Sequence, residues 1–176
     1  MKKLSATLVA ITAVMIALTT VFTIAVRIPV PATQGYVNFS DVAVFFVSYA
    51  FGPWVGLIAG GIGAALADIT GGYAQFALLT FLAHGLEGLL VGWASRNGKL
   101  SGMLLGWVLG TLAMAGLYLL GEGLVLTGFG PALAELPFNI LQCAVGALVG
   151  IPLVLAVRKA YPPITRLGQG KTWEEG

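Results

Sequence analysis

The sequence predicts an all-α integral membrane protein, a single domain of six transmembrane helices with both termini cytoplasmic. Three observations carry that expectation. First, 58% of the 176 residues are hydrophobic and 9% charged, with a mean hydropathy of +0.94. Nine Lys/Arg and seven Asp/Glu cannot cover the surface of a soluble domain of this length. Second, the 25 glycines would weaken helices in water, whereas in a bilayer they let backbones approach closely. Third, positive charge is distributed unevenly along the chain, and this decides the number of spans.

The first helix is expected over 4–26. Its basic start resembles a signal peptide, but Leu4 to Val26 is an uncharged run of 23 residues. At 1.5 Å per residue it reaches roughly 34 Å, so it is read as a retained span. The stretch 42–67 has 26 uncharged residues and suits one long helix or two short ones. "AFGPWVG" interrupts it at Gly52-Pro53, where proline ends or kinks a helix. Two helices here, about 40–51 and 53–68, make the total six. Lys2, Lys3, Arg96, Lys99, Arg158, Lys159, Arg166 and Lys171 then share one side, with only Arg27 opposite. One helix would make five spans and send six of those cations outside. The positive-inside tendency therefore selects six. The price is two helices of only about 20 Å each, which need extra residues, bilayer thinning or burial against neighbours. The remaining helices are expected over 75–94, 102–121 and 137–157, followed by a cytoplasmic tail, 158–176. The longer connections, 27–41, 68–75 and 121–136, then gather on the outer face.

Ionisable groups at membrane depth are functional candidates. Thr80, His84 and Glu87 share a face of the fourth span. Trp107, Thr111, Tyr118 and Glu122 follow helical spacing in the fifth, and Glu135, Asn139 and Gln142 do so in the sixth. Asn38, Asp41, Asp68, Tyr73 and Gln75 belong to the outer loops or adjoining helix ends. Each has a plainer reading. His84 and Glu87 can pair across one turn, Asn139 and Gln142 can join helices, and Glu122 and Glu135 can be interfacial charges. Asp41 can serve only to complement a helix N-terminus. Convergence of three stripes with the outer loops favours one wet cavity. Gly56/Gly60, Gly88/Gly92, Gly102/Gly106/Gly110 and Gly146/Gly150 repeat small-xxx-small packing, and Ala6, Ala10, Ala13 and Ala17 line helix 1 as a face for a helical partner.

Other classes are excluded or disfavoured. "GQGKT" lacks the first glycine of a phosphate loop, since position 165 is Thr165, and no nucleotide-binding domain fits in the tail. One His and one Cys do not assemble the usual metal sets, no cofactor is expected, and a net charge of +2 gives no case for nucleic acid.

"IPVPATQGYVNFSDVAVFFVSYAFGPWVGLIAGGIGAALADITGGY" and "ELPFNILQCAVGALVGIPL" strongly resemble the substrate-binding S components of energy-coupling factor (ECF) vitamin transporters. The similarity runs from helix 1 to about Val157, and the nearest subgroup is the riboflavin type, which includes expected carriers of hydroxymethylpyrimidine or pyridoxine. The resemblance implies a six-helix S-component fold in the cell membrane and a pocket drawn from the loop after helix 1 and helices 4 to 6. It also implies a transmembrane coupling protein and two cytoplasmic ATPases as partners, docked through Ala13 and Ala17 with Ala10 one turn earlier.

On this reading a vitamin enters from outside and the 27–41 loop closes over it. Tyr36, Tyr73, Trp107 or Tyr118 stacks on its ring, and Asn139, Gln142, His84 and Glu87 meet its polar edge. Asn38, Asp41 and Glu122 complete the expected site, with Glu135 at its mouth. A small single-ring substrate is favoured because no Lys or Arg lies in a helix interior to receive a phosphate or carboxylate, with riboflavin the alternative. The rival classes are an intramembrane enzyme using Glu87, His84 and Asp68, and a structural membrane subunit assembled through its glycines.

Overall fold

The computed structural model describes residues 6–33 and 35–167, without the side chains of Thr165 and Arg166. Lys2, Lys3, Lys171 and the "GQGKT" stretch lie outside the described residues, as does the expected tail from 168 onward. Helix α1 (Ala6–Ala25) leads into a hairpin of β1 (Arg27–Val30) and β2 (Gly35–Asn38). Then follow α2 (Ser40–Phe51), α3 (Pro53–Gly71), α4 (Ala77–Ala94), α5 (Leu100–Gly121), α6 (Phe129–Ala160) and a short α7 (Ile164–Leu167). Helices α1, α3, α4, α5 and α6 are long and apolar enough to cross a membrane, whereas α2 has 12 residues.

The break between α2 and α3 falls where the sequence places it. Gly52 takes φ 88°, a left-handed region that a side chain would disfavour, and Pro53 opens α3 with its φ already suited to a first turn. Nearly every residue of α2 is buried, so this short helix is the axis of the bundle, enclosed by α1, α3, α4 and α6. A helix that is apolar all round belongs in such a place. Glycines bring its neighbours close. A Cβ on Gly88 would run into the carbonyl of Gly56, and one on Gly60 would lie 2.8 Å from the carbonyl of His84. These contacts fix the register of α3 against α4.

Helix α1 is two-faced. Thr19 and Thr23 are buried, and Thr20 Oγ1 donates to the Gly63 carbonyl of α3 at 2.9 Å. Ala10, Ala13 and Ala17 are exposed on the opposite side.

Four expectations need correction. The 27–41 connection is not a plain loop: Arg27 pairs with Asn38, and Val30 with Gly35, in an antiparallel hairpin added to the helical bundle. Helix α3 runs to Gly71 rather than 68, so the connection after it is shorter than expected. Helix α5 starts at Leu100. Most of 121–136 is helical: a π-helical turn spans Glu122–Leu126, Gly128 at φ 88° ends it, and α6 begins at Phe129. Pro131, in the first turn of α6, needs no helical amide partner there. At 32 residues, roughly 48 Å, α6 outreaches a hydrocarbon core and contains Pro137 and Pro152.

Candidate functional site

Polar side chains collect at the end of the bundle where the hairpin sits. Beneath it lies a cavity of about 20 Å³, room for roughly one water. Helix α1 supplies Thr23, the hairpin Gly35, Tyr36 and Asn38, and α3 Asp68. Phe76 enters from the turn before α4 and Thr80 from α4, Tyr118 and Glu122 from α5 and the turn after it, and Glu135 from α6.

The hairpin is tied down on both sides. Tyr36 Oη donates to Asp68 Oδ1 at 2.6 Å, and Thr33 Oγ1 donates to the Glu135 carboxylate. The Asn38 amide donates to Gln142 Oε1 at 2.6 Å. Burial and the Asp68 carboxylate hold the Tyr36 phenol well above the usual tyrosine range, so it stays a neutral donor. Arg27 steadies the same corner. Its Nη2 donates to the Ala67 carbonyl at 2.8 Å, near the C-terminal end of α3, where positive charge suits the dipole. Its guanidinium stands 4.8 Å from the Tyr36 ring centre and 5.9 Å from that of Tyr73. The two rings are themselves 4.6 Å apart. Deeper in the cavity Thr80 and Tyr118 share a hydroxyl–hydroxyl bond of 2.8 Å. Glu122 is 1% exposed and its Oε2 has no hydrogen-bond partner.

A second polar cluster lies one layer further in, past the Tyr118 ring, whose centre is 6.0 Å from that of His84. His84 Nδ1 lies 3.0 Å from Glu87 Oε2 and 3.1 Å from Asp41 Oδ1, and all three side chains are buried. Ser40 Oγ donates to Asp41 Oδ1 at 3.3 Å, and Cys143 Sγ reaches Glu87 Oε1 at 3.6 Å. Asp41 Oδ2 has no hydrogen bond. The ligand atoms of Asp41, His84 and Glu87 fall within 4.8 Å of one another, the one such grouping among the described residues. The imidazole already faces both carboxylates, which gives the cluster an internal use for its charges.

The expected residues thus divide. Tyr36, Asn38, Tyr118 and Glu122 line the cavity, and Tyr73 backs Tyr36. Asp41, His84 and Glu87 form the inner cluster. Gln142 holds the hairpin, and Asn139 is buried on α6 between Glu135 and Gln142. Trp107 stands elsewhere, with Thr111 and Ile140 on an apolar groove of about 440 Å³ between α5 and α6. Thr23 and Phe76 had no sequence signal beyond hydrophobic helical context. Asp68 and Thr80 stood out as polar residues but were outside the expected binding set, whereas Glu135, expected at the mouth of the site, lines the cavity.

The hairpin is thus clamped over a small polar cavity at one end of the bundle, and comparison with known proteins gives the chain a family. The profile of the ECF-type riboflavin transporter S component matches residues 3–159. The chain belongs to that family. Among its relatives is a protein from Lactococcus lactis subsp. cremoris named thiamine precursor transporter HmpT, 34% identical over 119 residues, 67% of this chain and 68% of that one. An uncharacterized protein from Pyrococcus woesei is 44% identical over 146 residues, 82% of this chain and 97% of that one. As an S component the protein is a multi-pass membrane subunit of a vitamin transporter, not an enzyme. S components bind a small vitamin substrate and work with ECF components in the membrane.

Proposed function

We propose that this S component captures a small, single-ring heteroaromatic vitamin precursor of the hydroxymethylpyrimidine class and passes it to an ECF module. The observation that carries the reading is the cavity under the hairpin, closed by Tyr36–Asp68 and Thr33–Glu135 contacts. With the hairpin as it stands the cavity has room for about one water, so a ring enters only when the hairpin moves. The name of the Lactococcus relative, a thiamine precursor transporter, supports the same class. Pyridoxine is the nearest other single-ring compound.

In this reading the hairpin opens, the ring enters between Tyr36 and Tyr118, and the hairpin recloses over it. Asn38, Asp68, Thr80, Glu122 and Glu135 then meet the polar edge. Asn139 and Gln142 hold the α6 side of the site and the base of the hairpin. His84, Glu87 and Asp41 support it from the layer beneath, with Tyr73 behind Tyr36. Trp107 acts at the α5–α6 groove rather than on the ring. A buried group made to pair with a ligand rejects analogues that lack the partner, which is the source of specificity.

The bundle is read with six spans and both termini cytoplasmic. Five helices meet the length for crossing, and the enclosed α2 completes its passage inside protein instead of lipid. Arg96, Lys99, Arg158 and Lys159 then gather on the cytoplasmic side. The exposed Ala10, Ala13 and Ala17 face supports docking of a transmembrane coupling protein, with two cytoplasmic ATPases supplying energy.

Calorimetric titration of the purified protein with hydroxymethylpyrimidine, pyridoxine and riboflavin tests the substrate class. Hydroxymethylpyrimidine is expected to bind most tightly. Riboflavin binding most tightly would overturn the single-ring reading, and no binding by any of the three would overturn the cavity as a vitamin site.

A further inference from the structure

Three carboxyl groups, Asp68, Glu122 and Glu135, face one small cavity, and no Lys or Arg is among its lining residues. The nearest cation, Arg27, is directed to the Ala67 carbonyl and the face of Tyr36. Two of the three carboxyl groups have hydroxyl donors: Asp68 Oδ1 takes Tyr36, although Asp68 Oδ2 has no partner, and Glu135 takes Thr33. Glu122, at 1% exposed, has a buried oxygen with none. A buried acceptor without a partner is costly, and native structures rarely leave one idle.

We propose that Glu122 selects the substrate by accepting two parallel N–H bonds from an amino-substituted nitrogen heterocycle bound as its ring-protonated cation. This rests on the substrate reading above and deepens it. When a ring nitrogen beside an exocyclic amino group is protonated, positive charge spreads over the N–C–N unit, which presents two donors side by side. A carboxylate offers two acceptors at matching separation, the geometry of the strongest paired hydrogen bonds. The ligand brings its proton from water, and no covalent bond is made or broken. Its charge also offsets a carboxyl-rich cavity that neutral Tyr36 and Thr33 hydroxyls leave uncompensated.

Two exclusions follow from the same chemistry. The oxo form of the ring presents one donor and one acceptor, so its carbonyl oxygen would oppose a carboxylate oxygen. A phosphate monoester would bring negative charge into a cavity with three carboxyl groups and no lining cation.

The test compares dissociation constants of the full-length protein in nanodiscs for amino-hydroxymethylpyrimidine, its oxo counterpart and its phosphate monoester. The wild type is expected to favour the amino compound over either by about 100-fold or more. Glu122→Gln, whose amide offers one acceptor and one donor and so fits the oxo ring, is expected to bring the amino and oxo compounds within about threefold of each other. Glu122→Asp keeps the charge and is expected to keep the preference at lower affinity. A wild type that binds amino and oxo rings equally, or a Glu122→Gln protein with the wild-type preference, would overturn the role of Glu122 while leaving the substrate class intact. Riboflavin bound in place of all three pyrimidines would remove the substrate class itself, and this inference with it.

Discussion

Two polar clusters sit one above the other in this bundle, and they differ in how completely they satisfy themselves. In the inner one, His84 stands between Asp41 and Glu87, with Ser40 and Cys143 closing the outer sides. In the outer one, hairpin hydroxyls engage Asp68 Oδ1 and the Glu135 carboxylate, while Asp68 Oδ2 and Glu122 Oε2 have no partner. The inner cluster is enclosed by α2, α4 and α6. The outer cluster is covered only by a two-stranded hairpin held through side chains. Similar residues thus serve two ends: a set gathered on one imidazole, with Asp41 Oδ2 its one open oxygen, holds helices together, and a set with more open acceptors under a removable cover waits for a partner. Stability and binding are expected to separate along that line.

The largest effect is expected in the inner cluster. His84→Leu leaves two buried carboxyl groups without their shared partner, and breaking such a set costs about 3–5 kcal/mol. Thermal denaturation in detergent should reveal it as a strongly lowered midpoint with or without ligand. A midpoint that rises would mean that the inner cluster is tuned for a ligand and not for packing, and the contrast would collapse. Next comes the glycine seam beside it. Gly88→Ala drives a Cβ into the Gly56 carbonyl, with an expected loss of about 1–3 kcal/mol from overpacking.

The outer cluster should respond in the other way. Tyr36→Phe removes the Tyr36–Asp68 bond from a half-buried residue, so about 1 kcal/mol of stability is at stake. The ligand dissociation rate should rise more clearly than the midpoint falls, because the hairpin loses a clasp. Stopped-flow release of a fluorescent substrate analogue measures it, and an unchanged rate would mean that the hairpin does not hold the ligand in. The smallest effect on the isolated chain is expected at the α1 face. Ala13→Leu with Ala17→Leu should change the midpoint by less than about 0.5 kcal/mol equivalent, as for exposed sites, yet abolish co-purification with the coupling protein. Retained association would locate the docking face elsewhere.

Much of the helical layout could be read from the sequence because its signals are local. Gly52-Pro53 marks the α2–α3 break through backbone conformation alone, uncharged runs mark α1 and α5, and an apolar run interrupted only by His84 and Glu87 marks α4. The N-terminal part of α6 was hidden because Gly128, Gly130 and Pro131 have the composition of a loop. Only the left-handed Gly128 and a proline tolerated in the first turn reveal a helix start. The site was legible in residue type but not in depth. Helical spacing groups His84 and Glu87 with Thr80, but it cannot show that Asp41 from α2 reaches them, since that contact depends on α2 occupying the axis. Trp107 shares a stripe with Tyr118 by period, yet it faces the α5–α6 groove. Thr33 and Glu135 are 102 residues apart, and nothing short of the folded hairpin joins them.

The central claim is that the cavity beneath the hairpin holds a small heteroaromatic vitamin precursor. The most direct measurement is to purify the protein alone, denature it and identify the released small molecule by mass spectrometry. A single-ring nitrogen heterocycle in stoichiometric amount, absent from a Tyr36→Phe, Glu122→Leu double variant that still folds, is the predicted result. A flavin in its place, or the same heterocycle retained undiminished by that variant, would contradict the account.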